Sequence, residues 1–459
     1  MGLFTTIRGW FSTMMKSKAK EEFSLEQIGS EQMRDWIGEC INIYQGNPIW
    51  LDEEDHIDTV NFAKAVCSEV ARLATLGIGI HLDGSARANW LQEQVDRIYF
   101  QLRNWVEYGC AYGTIILKPN GGTVDLYTPD MFEIVHATAD RIDGVIFHHW
   151  KQVGEKWYTR LEYHRFEDEK YLITNKCYLG ERPDDTKHQV AIESTPWDYL
   201  AEEVAVANMT RPLFGVFRTP QANNIDLNSP YGLPIYSEAV QELRDLDIAY
   251  SRNAKEILDS KRIVLLDVDR LLPGGGLNNL DRLSLPDYIR LADGDTSVES
   301  DIYHEINPNL NTETRLTGLN ALLSQIGYKA GFSNGYFVFN ETGGIQTATQ
   351  VEADQQRTMQ LVKDVRDKLE NCMDGLIYAM DVFASLYGLA PKGKYETAYD
   401  FGDITYNREE DRVRWWGYVQ AGKVPAWKFF VKFEGMTEED AKAMVAEAEP
   451  QTSLLFGGV

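Results

Sequence analysis

The sequence has few cysteines, and none of them are paired in a motif. Its five cysteines are widely spaced and include no CxxC pair, so neither a disulfide framework nor a zinc site is indicated. The sequence also lacks an apolar run of the roughly 18 residues that a membrane-spanning helix needs. The composition predicts a globular protein, and its 459 residues are enough for two or three domains or one large one.

Basic residues are also few compared with acidic residues. The sequence has 45 lysines and arginines against 70 aspartates and glutamates, which gives a formal net charge of −25. A surface of this sign repels phosphate, so tight wrapping of DNA is disfavoured unless a local basic patch overrides the total. Copies of the chain repel one another for the same reason, and any assembly must rely on apolar or locally complementary contacts.

The N-terminal segment departs from the acidic trend. Four basic residues precede the first acid, Glu21, and apolar residues recur at helical spacing, which predicts an amphipathic helix. The apolar stripe consists of Leu3, Phe4, Ile7, Trp10, Phe11, Met14 and Met15. Such a helix suits a membrane surface, with acylation at Gly2 and Thr6 in the matching position, or an arm that packs on a neighbouring subunit. The pattern is the same for both, and both interpretations stay open.

No nucleotide-binding motif is complete. The stretch GYVQAGKV, residues 417–424, fits the G-x-x-x-x-G-K part of a P-loop, but Val424 stands where Ser or Thr would hold magnesium. A charged helix precedes this stretch where a strand would be needed, and Pro425 follows it. We interpret Gly422 as the left-handed cap of a helix, with Lys423 near the last carbonyls.

Histidines and paired acids offer no better site. His148 and His149 adjoin on a predicted strand and point to opposite faces, so they cannot chelate one metal together, and His164 and Cys177 do not complete a cluster. Pairs of acids occur without a nucleophile or an oxyanion motif, as expected by chance in a chain this acidic. These pairs are Asp245/Asp247, Asp267/Asp269 and Asp293/Asp295. No catalytic residue, metal ligand or cofactor is predicted.

Hydrophobic periodicity divides the first half of the chain into helices and strands. Residues 24 to about 75, and a further segment that ends at Gly109, are predicted to be packing helices. Residues from about 113 to 220 alternate as antiparallel strands and begin with a hairpin around Pro-Asn-Gly-Gly. A helix of about 25 to 28 residues, roughly 40 Å long, is predicted next, with Pro234 in its first turn.

The second half contains two further helices and a small β segment. The β-and-turn segment spans 263–309, and the longest helix is predicted from about 348 to 387. Its apolar stripe consists of Val351, Met359, Val362, Val365, Leu369, Met373, Leu376, Met380 and Phe383. Thr349 and Glu352 are spaced as a capping box at its start. The strand-like stretch YDFGDITY and several short helices complete the chain.

The loop before the longest helix combines aromatic, polar and glycine residues. In GFSNGYFVFNETGG, residues 331–344, an aromatic run gives way to three polar residues and then to Gly343 and Gly344. The two glycines allow the loop to move, at an entropic cost that contacts must offset. The alternative is an ordinary buried hairpin between two helices.

This order of elements resembles that of the portal proteins of tailed bacteriophages, of the type common in phages of Gram-positive bacteria, over essentially the whole chain. The stretch NSPYGLPIYSEAVQELRDLDIAY is similar to the start of that family's first stem helix, and TATQVEADQQRTMQ is similar to the start of its long wing helix. The resemblance implies an α+β portal fold with a β-rich and helical wing, a two-helix stem, a small α/β clip, a long wing helix and a short helical crown.

The resemblance also implies the boundaries of these parts. In chain order they are the wing (1–232), the first stem helix (233–262), the clip (263–309), the second stem helix (310–331), the tunnel loop (332–347), the long wing helix with a returning wing strand (348–405) and the crown (406–459).

Members of that family form a ring, usually of twelve subunits, at one vertex of the capsid. The resemblance therefore implies a non-enzymatic channel for double-stranded DNA, used in genome packaging, head-to-tail connection and genome ejection. The implied partners are the terminase large subunit, connector or adaptor proteins, the major capsid protein and scaffold, with no small-molecule substrate and no cofactor. The implied location is the portal vertex of the virion, and the host cytoplasm during assembly.

Site residues follow from the same resemblance. The tunnel loop and its base would place eight residues at the channel: Lys329, Asn334, Tyr336, Phe337, Phe339, Asn340, Glu341 and Thr342. The aromatic members would pack on a neighbouring subunit's loop or on the wing, and the clip would meet its partners through Arg270, Arg282 and Arg290. Two alternatives from other classes are a carboxylate-dependent hydrolase in the β-rich segment and a membrane-associated scaffold protein anchored by the N-terminal helix.

Overall fold

The described part of the chain is a mixed α+β fold, as predicted. The computed structural model describes residues 22–23, 25, 28, 30–259 (except 55, 139–140, 168–169 and 184), 263–267, 288–291, 303–306, 312–338, 348–402 and 408–448. Two compact units divide the chain, Met1–Asp400 and Phe401–Val459. The predicted N-terminal amphipathic helix lies outside the described residues.

The first unit begins with a helical layer. Its elements are α1 (Glu31–Tyr44), α2 (Phe62–Ala74), β1 (Gly79–Asp83), α3 (Ala86–Ile98) and α4 (Leu102–Tyr112). Ser30 and Ser85 cap α1 and α3, because each Oγ accepts a hydrogen bond from a backbone N–H three residues ahead. The prediction that the last of these helices ends at Gly109 was wrong. The helix continues to Tyr112, and Gly113, at φ 77°, ends it.

Residues 114–218 form the β-rich module that the alternation predicts. Its strands are β2 (Thr114–Asn120), β3 (Thr123–Tyr127), β4 (Phe132–Ala137), β5 (Ile142–Val153), β6 (Lys156–Glu167), β7 (Lys170–Gly180), β8 (Gln189–Val190), β9 (Glu203–Ala207) and β10 (Gly215–Arg218). One sheet has the order β10-β2-β3, and the other has the order β4-β5-β6-β7-β8 with β9 paired to β7. All of these pairings are antiparallel, and the predicted hairpin turns at Gly121 and Gly122.

The first long helix begins later than predicted. Helix α5 spans Val240–Asp259 and follows a 3₁₀ turn at Ser237–Ala239, so its α-helical part is about 30 Å long and not 40 Å. The preceding residues 231–236 are buried and lie outside the helix, where the Ile235 N–H donates to the Cys110 carbonyl and the Leu233 carbonyl accepts from the Thr219 hydroxyl. These tertiary hydrogen bonds replace the helical turn that Pro234 suggested.

The remaining elements in the described residues of the first unit are a small sheet, two helices and one strand. They are β11 (Ile263–Asp267), β12 (Tyr288–Leu291), β13 (Tyr303–Ile306), α6 (Thr312–Lys329), α7 (Ala348–Leu386) and β14 (Glu396–Asp400). Helix α7 has 39 residues and is about 58 Å long. It begins one residue before Thr349, which therefore lies inside the helix and is not its cap. The strand predicted at YDFGDITY lies earlier in the chain than expected: β14 includes only Tyr399 and Asp400 of that stretch, and it pairs antiparallel with β1.

Helix α7 carries most of the apolar stripe that the sequence predicts. Seven of its predicted members are Met359, Val362, Val365, Leu369, Met373, Leu376 and Met380, and six of these are buried. The helix crosses β10 closely, because a Cβ atom on Gly215 would lie 2.1 Å from the Cys372 carbonyl oxygen. Gly375 faces the same crossing, where its Cβ would lie 3.0 Å from the Gly215 Cα. Two glycines therefore permit direct contact between the backbones of helix and strand.

The second unit is helical in its described part. Its helices are α8 (Arg408–Gln420), α9 (Ala426–Glu434) and α10 (Glu438–Ala448). Phe429 and Phe433 of α9 are buried and form the aromatic core with Trp415 and Trp416. Gly422, at φ 68°, follows α8 as the predicted left-handed residue, and the stretch that resembles a P-loop is thus a helix end.

We predict that Gly215→Ala lowers the free energy of unfolding by about 3 kcal/mol, because the added Cβ forces α7 away from β10. Urea unfolding followed by circular dichroism measures this change. The matched control is Gly122→Ala at the hairpin turn, where no atom lies within 4 Å of the added Cβ. Equal stability of the two variants would contradict the close crossing.

Candidate functional site

Helices α5 and α6 pack as an antiparallel pair. Near one end, the Lys329 ammonium lies 2.5 Å from Oε1 of Glu242. Near the other end, Arg315 forms an ion pair with Glu256. Between these ends, both helices bury leucines, which are Leu243 and Leu246 on α5 and Leu319 and Leu323 on α6. The two predicted stem helices are thus brought together along their length.

Burial changes along α5. Its first half is partly buried within this chain, and Asp247 accepts hydrogen bonds from the Trp50 indole at 2.9 Å and from the Val60 N–H at 2.8 Å. Its second half is more exposed, and Tyr250 keeps 50% of its surface in solvent. Ile257, in the last turn of α5, is 56% exposed. The pair therefore has a fixed base and leaves apolar surface available for contact with another chain.

A small three-stranded sheet lies between α5 and α6 in the chain, at the end of the pair where Arg315 meets Glu256. Strand β11 begins four residues after α5 ends, and α6 begins six residues after β13 ends. Strand β11 is central, parallel to β12 and antiparallel to β13. Of the predicted partner-binding arginines, Arg290 lies in β12 opposite Leu266, whereas Arg270 and Arg282 lie outside the described residues.

The chain after α6 is anchored to α7 by hydroxyl groups. The Ser333 N–H donates to the Thr358 hydroxyl at 2.9 Å, and the Thr358 N–H donates to the Ser333 hydroxyl at 3.4 Å. The Ser324 hydroxyl donates to Asn334 Oδ1 at 2.7 Å and accepts from the Gly335 N–H. The first residues of the predicted tunnel loop are therefore a fixed turn.

The aromatic residues of this turn pack inside the same chain. Phe337 lies edge-on to Phe62 of α2, with ring centroids 5.2 Å apart, and also contacts the buried Phe332. The Tyr336 hydroxyl donates to the Glu69 carboxylate. Burial, together with this hydrogen bond, raises the pKa of Tyr336 to about 12. Both aromatic residues thus contact residues that belong to the predicted wing.

The structure describes four of the eight predicted channel residues and places three of them in one turn. Asn334, Tyr336 and Phe337 lie in the turn after α6, whereas Lys329 is the last residue of α6 and forms an ion pair with Glu242. The other four, which are Phe339, Asn340, Glu341 and Thr342, lie outside the described residues. Sequence reasoning missed the residues that hold the turn, namely Phe62, Glu69 and Thr358. Of these three residues, only Thr358 could have been predicted to be buried from the sequence, because it adjoins the apolar stripe of α7.

The histidines of the β-rich module belong to a buried charge cluster. The Glu162 carboxylate accepts hydrogen bonds from Lys118 at 2.7 Å, from His149 at 2.8 Å and from His164 at 2.6 Å. Arg160 Nη1 lies 3.0 Å from the same carboxylate. His148 points away from this cluster toward Glu133, 3.5 Å distant, as the strand geometry predicts. In the described residues, no group of three His, Cys, Asp or Glu side chains could hold a metal ion.

Burial sets the protonation of this cluster. Burial lowers the pKa of His149 to about 3 and also lowers the pKa of His164, so both rings are neutral at pH 7. Burial alone would raise the pKa of Glu162, but Lys118 and the two histidines hold this pKa well below its usual value. Glu162 is therefore ionised, and a carboxylate whose pKa is held so low is a weak general base.

The predicted acid pair Asp245/Asp247 does not form a shared site. Asp247 is buried and binds the segment that contains Trp50 and Val60, whereas Asp245 is exposed and accepts a hydrogen bond from Gln241. Asp269, Asp293 and Asp295 lie outside the described residues. As for a membrane anchor, none of the helices within the described ranges is sufficiently long and apolar to span a bilayer.

No protein-family model matches the sequence, and no curated protein matches it significantly.

We predict that stability falls as the pH drops from about 6.5 toward 3. The unfolded chain takes up a proton on His149 near pH 6.5, whereas the folded chain does so only at about pH 3, so acid favours unfolding across this window. Glu162 acts in the same direction below about pH 4.5, because its pKa is lowered on folding. Urea unfolding at pH 7, 5.5 and 4 measures the decline.

The matched pair of variants for this prediction is His149→Gln and His188→Gln, since His188 is exposed. The first should flatten the decline between pH 6.5 and 5, and the second should leave it as in the parent. An unchanged slope in His149→Gln would show that this ring does not carry the effect.

Proposed function

We propose that this chain is a portal protein of a tailed bacteriophage, of the type common in phages of Gram-positive bacteria. In this proposal, about twelve copies form a ring at one capsid vertex, and the ring is the DNA channel for genome packaging, head-to-tail connection and ejection. The observation that carries the proposal is the antiparallel pair α5 and α6, with a small sheet at one end and the 39-residue α7 after the other. That succession corresponds to stem, clip and long wing helix.

The burial pattern of the helix pair supports a ring. Its base is fixed by Asp247 and by the Lys329–Glu242 ion pair, whereas Tyr250 and Ile257 in the second half of α5 are at least half exposed. Apolar surface beyond a fixed base is what a stem helix needs for contact with the next copy, because assembly of chains with net charge −25 depends on apolar or locally complementary contacts.

The charge of the chain suits a conduit. A ring of about twelve copies carries a charge of roughly −300, which disfavours tight binding of DNA and leaves it free to slide. No enzymatic role belongs to the proposal, because the energy for packaging would come from the terminase large subunit. The clip, with Arg270, Arg282 and Arg290, would contact that motor and later the connector or adaptor proteins. The major capsid protein and scaffold would contact the ring in the host cytoplasm and in the virion.

The fixed turn after α6 supports a tunnel loop. Ser333, Tyr336 and Phe337 hold the start of the loop against α7 and α2. We assign Phe339, Asn340, Glu341 and Thr342 to the part that borders the channel, where the polar members would face DNA. A fixed base gives such a loop a defined position in each subunit.

We predict that the purified full-length chain assembles into annular particles of about twelve copies of the 52.3 kDa chain. Native mass spectrometry gives the copy number, and negative-stain electron microscopy shows the central hole. A persistent monomer with hydrolytic activity would overturn the proposal in favour of a hydrolase. Vesicle binding that is lost when residues 1–20 are removed, without ring formation, would favour the membrane-associated scaffold.

We predict that the tunnel loop and its base respond differently to mutation. Replacement of Asn340, Glu341 and Thr342 by Gly should leave rings intact and reduce DNA packaging in a complemented infection. Phe337→Ala should lower the free energy of unfolding by about 2 kcal/mol, because it removes a half-buried ring from Phe62 and Phe332. Normal packaging with the triple variant would remove these residues from the channel.

A further inference from the structure

A deep cleft opens in the first unit, away from the helix pair and the turn. Its volume is about 800 Å³. Four elements form its walls: helix α3, the β2–β3 hairpin, the sheet face around β6, β7 and β9, and the C-terminal end of α7. The proposed portal function assigns no role to this cleft.

Buried charged side chains form the floor of the cleft. Lys118 keeps only 6% of its surface exposed and Arg160 only 7%, and both line the cleft together with Glu162. Arg160 donates from Nη1 to Asn175 Oδ1 at 2.8 Å, and its guanidinium lies over the Trp197 ring. The Nε atom of Arg160 is buried and has no hydrogen-bond partner in the described part of the chain.

The floor carries a net positive charge. Among the described residues that line the cleft, the cations are Arg97, Lys118 and Arg160, and the one carboxylate is Glu162. His149 also lines the cleft but is neutral. A buried positive charge is costly unless an anion compensates it, and Glu162 compensates only one of two buried cations. The excess is notable because the whole chain has a net charge of −25.

The rim of the cleft is apolar and exposed. Tyr199 is 74% exposed and Tyr387 is 69% exposed, although both are large aromatic side chains. Three further exposed apolar residues line the same opening, namely Val204, Leu386 and Leu389. Exposed apolar side chains that converge on one concave surface with a few buried polar groups are typical of a ligand-binding site.

We propose that this cleft binds an organic anion in which a carboxylate, sulfonate or phosphate group adjoins an aromatic or aliphatic body. The anionic group lies on Lys118 and Arg160, the two buried cations that line the floor. The apolar body lies between Trp90, Trp197 and the rim. The cleft binds this ligand without any reaction, and the inference does not depend on the proposed portal function.

The test uses two fluorescent probes that share one ring skeleton and differ in charge. The anionic probe is 8-anilinonaphthalene-1-sulfonate, and the uncharged probe is N-phenyl-1-naphthylamine. Titration of the full-length chain should show one saturable site for the anionic probe, with an affinity at least about tenfold above that of the uncharged probe. Equal affinities would overturn the proposal, because the floor charge would then play no part.

Two variants test the site from the floor and from the rim. Arg160→Gln removes a floor cation, and Val204→Glu adds a negative charge at an exposed rim position where folding is not at risk. Each variant should weaken the binding of the anionic probe by about tenfold or more. Val153→Glu is the matched control, because Val153 is an exposed strand valine that does not line the cleft. Unchanged affinity in Val204→Glu, or an equal loss in Val153→Glu, would overturn the proposal whatever the folding of Arg160→Gln.

The same titration on assembled particles tests whether a neighbouring copy of the chain, and not a ligand, occupies the cleft. If the anionic probe binds the separated chain and is excluded from the assembled ring, a neighbouring copy covers the cleft, and the proposal of a ligand site fails. Binding to both forms with the same affinity supports it.

Discussion

The crossing of α7 over β10 is the contact on which the first unit depends. Gly215 and Gly375 bring the two backbones together at a distance that excludes any side chain. At this distance, the long helix covers β10 and β2 directly, and its apolar stripe fills the space on either side. Because α7 is about 58 Å long, a shift at this crossing would move both of its ends, where the turn after α6 and the rim of the cleft are located.

Hydrogen bonds from arginine side chains to backbone carbonyl groups hold α7 in place elsewhere along its length. Arg366 donates to the carbonyls of Leu73 and Ala74 at the C-terminus of α2, as a basic residue does at a helix end. Arg87 of α3 is almost fully buried and donates to the Asp381 and Pro391 carbonyls near the end of α7. Together with the reciprocal Ser333–Thr358 bonds, these contacts join α7 to the helical layer and to the turn that follows α6. A tunnel loop on this frame would have a rigid base.

The sequence was sufficient for elements that a local pattern specifies, and insufficient where distant residues decide. The period of the apolar stripe predicts α7 nearly to the residue, and Pro-Asn-Gly-Gly predicts the β2–β3 turn, because both signals are local. Pro234 misplaced the start of α5, since hydrogen bonds from Thr219 and to Cys110 hold that segment outside the helix. Asn334, Tyr336 and Phe337 were placed in one loop by their order in the chain, but the contacts of the two aromatic residues with Phe62 and Glu69 depend on the tertiary fold.

The charge cluster of the β-rich module was beyond local reasoning for the same reason. Lys118 and Glu162 are separated by 44 residues and lie in different strands, so the sequence around either residue does not indicate its partner. Breaking such a buried pair leaves an uncompensated charge, which costs about 3 to 5 kcal/mol, whereas an apolar replacement of the whole pair is often neutral. Stability alone therefore does not account for two buried cations around one carboxylate. A positive floor beneath an apolar rim is better explained by an anion that completes the cluster from the cleft side.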